Sequence, residues 1–172
     1  MKVLSLFDGI SIARVALERA GIRIENYYSS EIDKYAIQIS QKNYPDIIRL
    51  GDVRNVSGKD LPKIDLMILG APCQDLSIAK KNRQGLSGER SGLFWEAIRI
   101  HKEVMPTYFV YENVASMPKE SKEQMLQALK EIDPTTEVHM IDAALVSAQR
   151  RKRYFFTNIP NITQPEDRGI LL

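Results

Sequence analysis

One cysteine, one tryptophan and two histidines are all that this 172-residue sequence holds of those types. A single thiol cannot close an internal disulfide, which excludes the stapled folds of small secreted domains and fits a reducing, cytoplasmic setting. His101 and His139 lie far apart in sequence, and with one cysteine they offer no metal-ligand spacing, so no metal site is expected. Long hydrophobic runs are also missing. The opening "MKVLSLF" is cut by Asp8 and reads as a strand, too short for a signal-peptide core or a membrane span. Neither sign of charge dominates: 24 Lys and Arg against 22 Asp and Glu leave a net charge of +2. Any hold on a polyanion must then come from local basic clusters. No Gly-x-Gly-x-x-Gly occurs, which argues against a dinucleotide-dependent oxidoreductase.

What is present is an ordinary globular composition, 44% hydrophobic and 27% charged, on a chain of one-domain length. Strand and helix patterns alternate along it. Residues 2–7, 24–30, 65–70, 107–114, 137–146 and 153–159 read as strands, with a further short one before Gly51. Residues 11–20, 33–44, 92–104 and 121–132 carry helical periodicity, stopped by Gly21, Pro45, Pro106 and Pro134. Such alternation predicts an α/β fold with a doubly wound, mostly parallel sheet. Residues 71–91, "APCQDLSIAKKNRQGLSGERS", fit no element, and a loop of that length in a compact domain is usually functional.

Doubly wound sheets bind ligands at the carboxyl ends of their strands. "FDGIS" (7–11), Glu31, Gly51-Asp52, Pro72-Cys73 and Glu112-Asn113 all follow strands, so they are predicted to share one edge. "FDGIS" is either a plain βα turn or a place where Gly9 lets a nucleotide approach the backbone. Glu31 is a surface acid or a ribose-binding one. Asp52 repeats that choice. A lone cysteine is most often buried inside an element. Cys73 instead lies past a strand end, after proline, where a thiol of lowered pKa becomes a nucleophile. Glu112 closes an aromatic strand, "YFVYEN", and a partly desolvated carboxyl suits proton exchange near neutral pH. "KKNR" (80–83) and "QRRKR" (149–153) are solvated turns or anion contacts.

Taken together, "FDGIS", "EID" (31–33), "GDV" (51–53), "GAPCQDLS" (70–77), "ENV" (112–114) and "QRRKR" resemble, in order and rough spacing, the DNA cytosine-5 methyltransferases. The likeness extends to their de novo branch and phage relatives, and covers nearly the whole chain. It implies the Rossmann-like fold of S-adenosylmethionine-dependent enzymes. It also implies methyl transfer to C5 of a flipped cytosine in double-stranded DNA, for modification by a phage or prokaryote. By motif, Phe7, Asp8, Gly9, Ile10, Glu31, Ile32, Asp52, Val53, Pro72 and Leu93 would line S-adenosylmethionine. Cys73, Glu112, Arg151 and Arg153 would be catalytic. Gln74, Ser77, Lys80, Lys81, Arg83, Asn113, Gln149 and Lys152 would meet DNA. Family members run on into a target-recognition region and a closing segment. Residues 1–172 are thus expected to be the catalytic domain without those parts, a fragment or one subunit whose second polypeptide supplies the rest. A tRNA methyltransferase of the same family, or a silent module that keeps the fold, are the alternatives. The silent module would be expected to lose the cysteine, the glutamate or the cofactor edge, and all three are present.

Overall fold

The computed structural model describes residues 1–70 and 93–171. Eleven regular elements follow the predicted alternation. They are β1 (Lys2–Leu6), α1 (Ile12–Arg19), β2 (Asn26–Ser30), α2 (Lys34–Asn43), β3 (Ile48–Arg49), β4 (Leu66–Gly70), α3 (Leu93–Val104), β5 (Tyr108–Val114), α4 (Lys119–Lys130), β6 (Glu137–Asp142) and β7 (Lys152–Thr157). The seven strands form one sheet in the order β3-β2-β1-β4-β5-β7-β6. β1 to β5 pair in parallel, and the order reverses between β1 and β4, the switch point of a doubly wound fold. Aligned registers bring the strand ends level: Leu6 lies opposite Ser30 and Leu69, and Gly70 opposite Glu112.

β7 is antiparallel to both of its neighbours. The link from β6 to β7 is too short for a crossover helix, so the chain must return as a hairpin. β6 ends at Asp142, earlier than the apolar pattern through Val146 suggests. The Asp142 carboxylate accepts the N–H groups of Ala144 and Arg151, bending residues 143–145 into a 3₁₀ turn. This reversal sets the start of β7 beside the end of β5.

Alternation along the strands divides the two faces of the sheet. Leu4, Leu6, Met67, Leu69, Phe109, Tyr111 and Phe156 pack with Phe94, Ala97 and Ile100 of α3 and with Met125 and Leu129 of α4. Each fully buried Leu, Ile, Met or Phe side chain there stabilises the fold by roughly 1.5–3 kcal/mol. The opposite face is smaller: Val3, Leu17, Tyr27, Ile47 and Leu66 form its apolar cluster. Towards the carboxyl edge that face turns polar, with Ser5, Ser29 and Ser40 buried. No described helix is long and apolar enough to cross a membrane.

Candidate active site

The loop from β1 to α1 has three left-handed residues in alternation: Phe7 (φ 55°), Gly9 (57°) and Ser11 (64°). Left-handed backbone costs a non-glycine residue roughly 1–2 kcal/mol, so the loop needs external support. The Asp8 N–H donates to the Ser30 carbonyl at 3.2 Å, and the Ser11 N–H to the Asp8 carbonyl at 3.0 Å. The Gly9 N–H donates to Glu31 Oε2 at 2.8 Å. Glu31 Oε1 accepts the N–H groups of Ile32 and Asp33, each at 2.8 Å, so this one carboxylate ties the loops after β1 and β2 together. An added Cβ would meet nothing within 4 Å at Gly9 or at Gly51, both left-handed. Open space therefore adjoins the backbone at two points of this edge. Ile10 and Ile32 are exposed beside it, while Phe7 and Leu93 are half-buried against the core.

Asp52 caps the 3₁₀ turn Val53–Asn55 and accepts from the Arg54 N–H and guanidinium. The Arg54 guanidinium holds the Asp52 carboxyl below the usual carboxylate range. Asp52 keeps its expected place at the edge. Val53 does not. Its side chain is 4% exposed and packs in the main core, because the turn capped by Asp52 points it inward.

Asp8, expected to contact the cofactor, also turns inward. Its carboxylate is buried and accepts four hydroxyl hydrogen bonds, from Ser5, Ser11, Tyr27 and Ser29. Burial and then the Asp8 charge push the Tyr27 phenol well above its ordinary pKa. Asn113 is the third correction. Expected at DNA, it is 2% exposed: its side-chain oxygen accepts the Val114 N–H, and its amide faces Met125. Strand alternation requires this, since Glu112 occupies the other face.

On the far side of the switch point, Glu112 Oε1 pairs with Arg153 Nε at 2.5 Å. Arg153 lies opposite Val114 in the antiparallel ladder, diagonal to Glu112 and within reach of it. The Glu112 carboxyl, expected to be partly desolvated, is about a third exposed (32%) and sits in an ion pair. Gln149, Arg151, Lys152 and Arg153 come together with Arg150, Ala115 and Ser116 around an open groove of about 410 Å³. Four cations converge there, and the Arg151 N–H anchors the turn to Asp142. Pro72, Cys73, Gln74, Ser77, Lys80, Lys81 and Arg83 lie outside the described residues, as does the rest of the unassigned loop.

Sequence reasoning passed over Ser5, Ser29 and Tyr27, which cradle Asp8, and Gly70, which borders Glu112. A signal existed for the first group: hydroxyl residues interrupt two apolar strands at matching places, "VLSLF" and "YYSS".

The family model described as C-5 cytosine-specific DNA methylase matches residues 1–168. The chain is similar to the orphan methyltransferase M.SPRI of Bacillus phage SPR, at 32% identity over 92% of this chain and 38% of the relative. It is similar to the orphan methyltransferase M.Rho11sI of Bacillus phage rho11s, at 36% identity over 93% of the chain and 31% of the relative. Among solved structures, S. pombe Dnmt2 methyltransferase superposes with a TM-score of 0.72 at 18% identity, over 95% of this chain and 53% of that one. The latter likeness is one of fold. The chain spans about a third of the length of the curated relatives it matches, 38% and 31%.

Proposed function

Because the chain belongs to the C-5 cytosine-specific DNA methylase family, we propose that it is the catalytic part of a DNA (cytosine-5-)-methyltransferase acting on double-stranded DNA. The observation that carries this reading is the meeting of two constellations at one sheet edge. Gly9 and Glu31 stand on one side of the β1–β4 switch point, and Glu112 and Arg153 on the other. Gly70 lies between them, three residues before Cys73.

The residues present fit S-adenosylmethionine. Gly9 and Gly51 leave open space at the backbone. Glu31 Oε2 has capacity for a further donor such as a ribose hydroxyl. Ile32, 66% exposed, offers an apolar surface to a purine ring. Phe7, Ile10, Asp52, Pro72 and Leu93 complete the set. When bound, this group supplies an electrophilic methyl.

Cytosine C5 is a weak nucleophile. Cys73, as thiolate, adds to C6 and raises electron density at C5. Once C5 carries the methyl, loss of its proton to solvent expels the thiolate and restores the ring, so one difficult step becomes two easier ones. Glu112 holds a proton at N3 and Arg151 meets O2, offsetting charge that develops on the ring. Arg153 fixes the Glu112 carboxyl through their ion pair. The base must leave the duplex to reach these groups. Gln149 and Lys152, with Gln74, Ser77, Lys80, Lys81 and Arg83, contact the DNA. Target recognition and closure of the cofactor site belong, in this proposal, to the length that the relatives carry beyond the match. The test is tritiated methyl transfer from S-adenosylmethionine to duplex DNA by the protein expressed from its complete gene, followed by digestion to nucleosides. Label in 5-methylcytosine supports the reading, and its appearance in another base or nowhere overturns it.

A further inference from the structure

The Asp8 carboxylate accepts hydroxyl hydrogen bonds from four different residues, yet the chemistry above does not use it. Ser5 and Tyr27 donate to Oδ1 at 2.6 and 2.7 Å, and Ser11 and Ser29 to Oδ2 at 2.5 and 2.8 Å. Four hydroxyls saturate the accepting capacity of one carboxylate. The side chain therefore has nothing left to offer a ligand, and at 9% exposure it does not face one.

Its partners come from different elements. Ser5 is on β1, Tyr27 and Ser29 are on β2, and Ser11 precedes α1. Ser11 shares a further hydrogen bond with Ser40 of α2, which also accepts from Arg49 at the end of β3. The register places Val3 opposite Tyr27 and Ser5 opposite Ser29, so the donors project from one face of the sheet towards one point. Asp8 lies at the middle of the strained stretch, between left-handed Phe7 and Gly9 and three residues before left-handed Ser11. Strain of this kind persists only where the surroundings over-determine it.

We infer that Asp8 is a positioning residue, which holds the Gly9–Ile10 backbone and, through the Gly9 N–H, the Glu31 carboxylate in the geometry that receives S-adenosylmethionine. This rests on the cofactor reading of that edge. The helix α1 has no side-chain cap of its own. Ser11, the residue in the cap position, gives its hydroxyl to Asp8 instead. The local arrangement thus gives up a cap to fix the loop. Without the carboxylate, four buried hydroxyls lose their acceptor and the loop can relax to right-handed backbone. If the ligand-ready geometry were then populated about a tenth of the time, apparent affinity would fall about tenfold.

The experiment measures the dissociation constant of S-adenosylmethionine by calorimetry on the protein expressed from its complete gene, at a temperature where every variant is folded by circular dichroism. The set is wild type, Asp8→Ala, Asp8→Asn, Tyr27→Phe and Leu129→Ala. Leu129 of α4 is fully buried in the main core, on the other face of the sheet from the Asp8 cluster, so its truncation lowers the melting temperature without touching the site. Asp8→Ala is expected to weaken binding about tenfold or more. Asp8→Asn and Tyr27→Phe should fall between it and wild type, because each removes part of the cradle, and Leu129→Ala should stay within twofold of wild type. Equal affinities for wild type and Asp8→Ala, with only the melting temperature reduced, overturn the inference and leave the cofactor reading standing. No binding by wild type overturns both.

Discussion

Gly70 stands directly opposite Glu112 in the β4–β5 ladder, and a methyl group placed on it would lie 3.0 Å from Glu112 Oε2. The other oxygen, Oε1, is held by Arg153. The carboxylate is thus fixed by an ion pair on one side and by an absent side chain on the other. That places Gly70 among the groups that set where the acid points.

Gly70→Ala should displace the Glu112 carboxyl by a few tenths of an ångström or break its pair with Arg153. Misplacement of about 1 Å can cost roughly 10²-fold in rate, so a loss of about tenfold is expected in the single-turnover rate of methyl transfer. A rate within twofold of wild type would show that the carboxyl has room to spare.

Glu112→Gln keeps the size of the side chain but cannot hold the proton in the same way. Methyl transfer should slow by roughly 10²–10⁴-fold, the usual worth of a positioned acid, with DNA affinity little changed. If the loss lies wholly in the KM for S-adenosylmethionine, Glu112 belongs to the cofactor site instead.

Stability should depend on His101. It is buried between α3 and β5, its Nδ1 is 3.1 Å from the Tyr111 hydroxyl, and its ring lies edge-on to Phe109. Burial lowers its pKa from 6.5 to about 4, against the pull of Asp133. The folded state therefore resists a proton that the unfolded chain accepts. The contribution is complete above pH 6.5 and is lost as pH falls from 6.5 towards 4, reaching about 3 kcal/mol. Urea melts across this range should show the slope, and His101→Gln should flatten it. An unchanged slope in the variant would assign the effect to other groups.

The groove bounded by Gln149 to Arg153 should act on DNA mainly through charge. Lys152→Ala is expected to weaken binding to unrelated duplexes alike and to reduce the salt slope by about 1. A loss confined to one duplex would mean that Lys152 reads bases.

The helices, the strands and their shared edge were legible because the two periods alternate along the chain and the helices stop at Gly21, Pro45, Pro106 and Pro134. Three residues inside the motifs were not. Asp8, Val53 and Asn113 sit in strings that meet the ligand edge, but only some members of such a string face outward. Asn113 follows Glu112 on a strand, so alternation alone could have turned it inward. Val53 turns inward because Asp52 caps the turn behind it. The inward turn of Asp8 depends on Ser5 and Ser11, three residues away, together with Tyr27 and Ser29 of β2, 19 and 21 residues away, and that meeting is made only by the pairing of β1 with β2. The Glu112–Arg153 pair likewise needs the β7 reversal, a tertiary fact.

The central claim is that Cys73 attacks C6 of cytosine so that C5 can accept a methyl group. A duplex carrying 5-fluorocytosine at the target position tests it directly. Fluorine at C5 leaves no proton to remove after methyl transfer, so the thiol cannot be expelled and the adduct persists. With S-adenosylmethionine present, the protein expressed from its complete gene should give a covalent protein–DNA species on a denaturing gel, and mass spectrometry should place the linkage on Cys73. Cys73→Ser should give none. No adduct with wild type on a duplex that it methylates, or an adduct formed equally by the serine variant, would contradict the account.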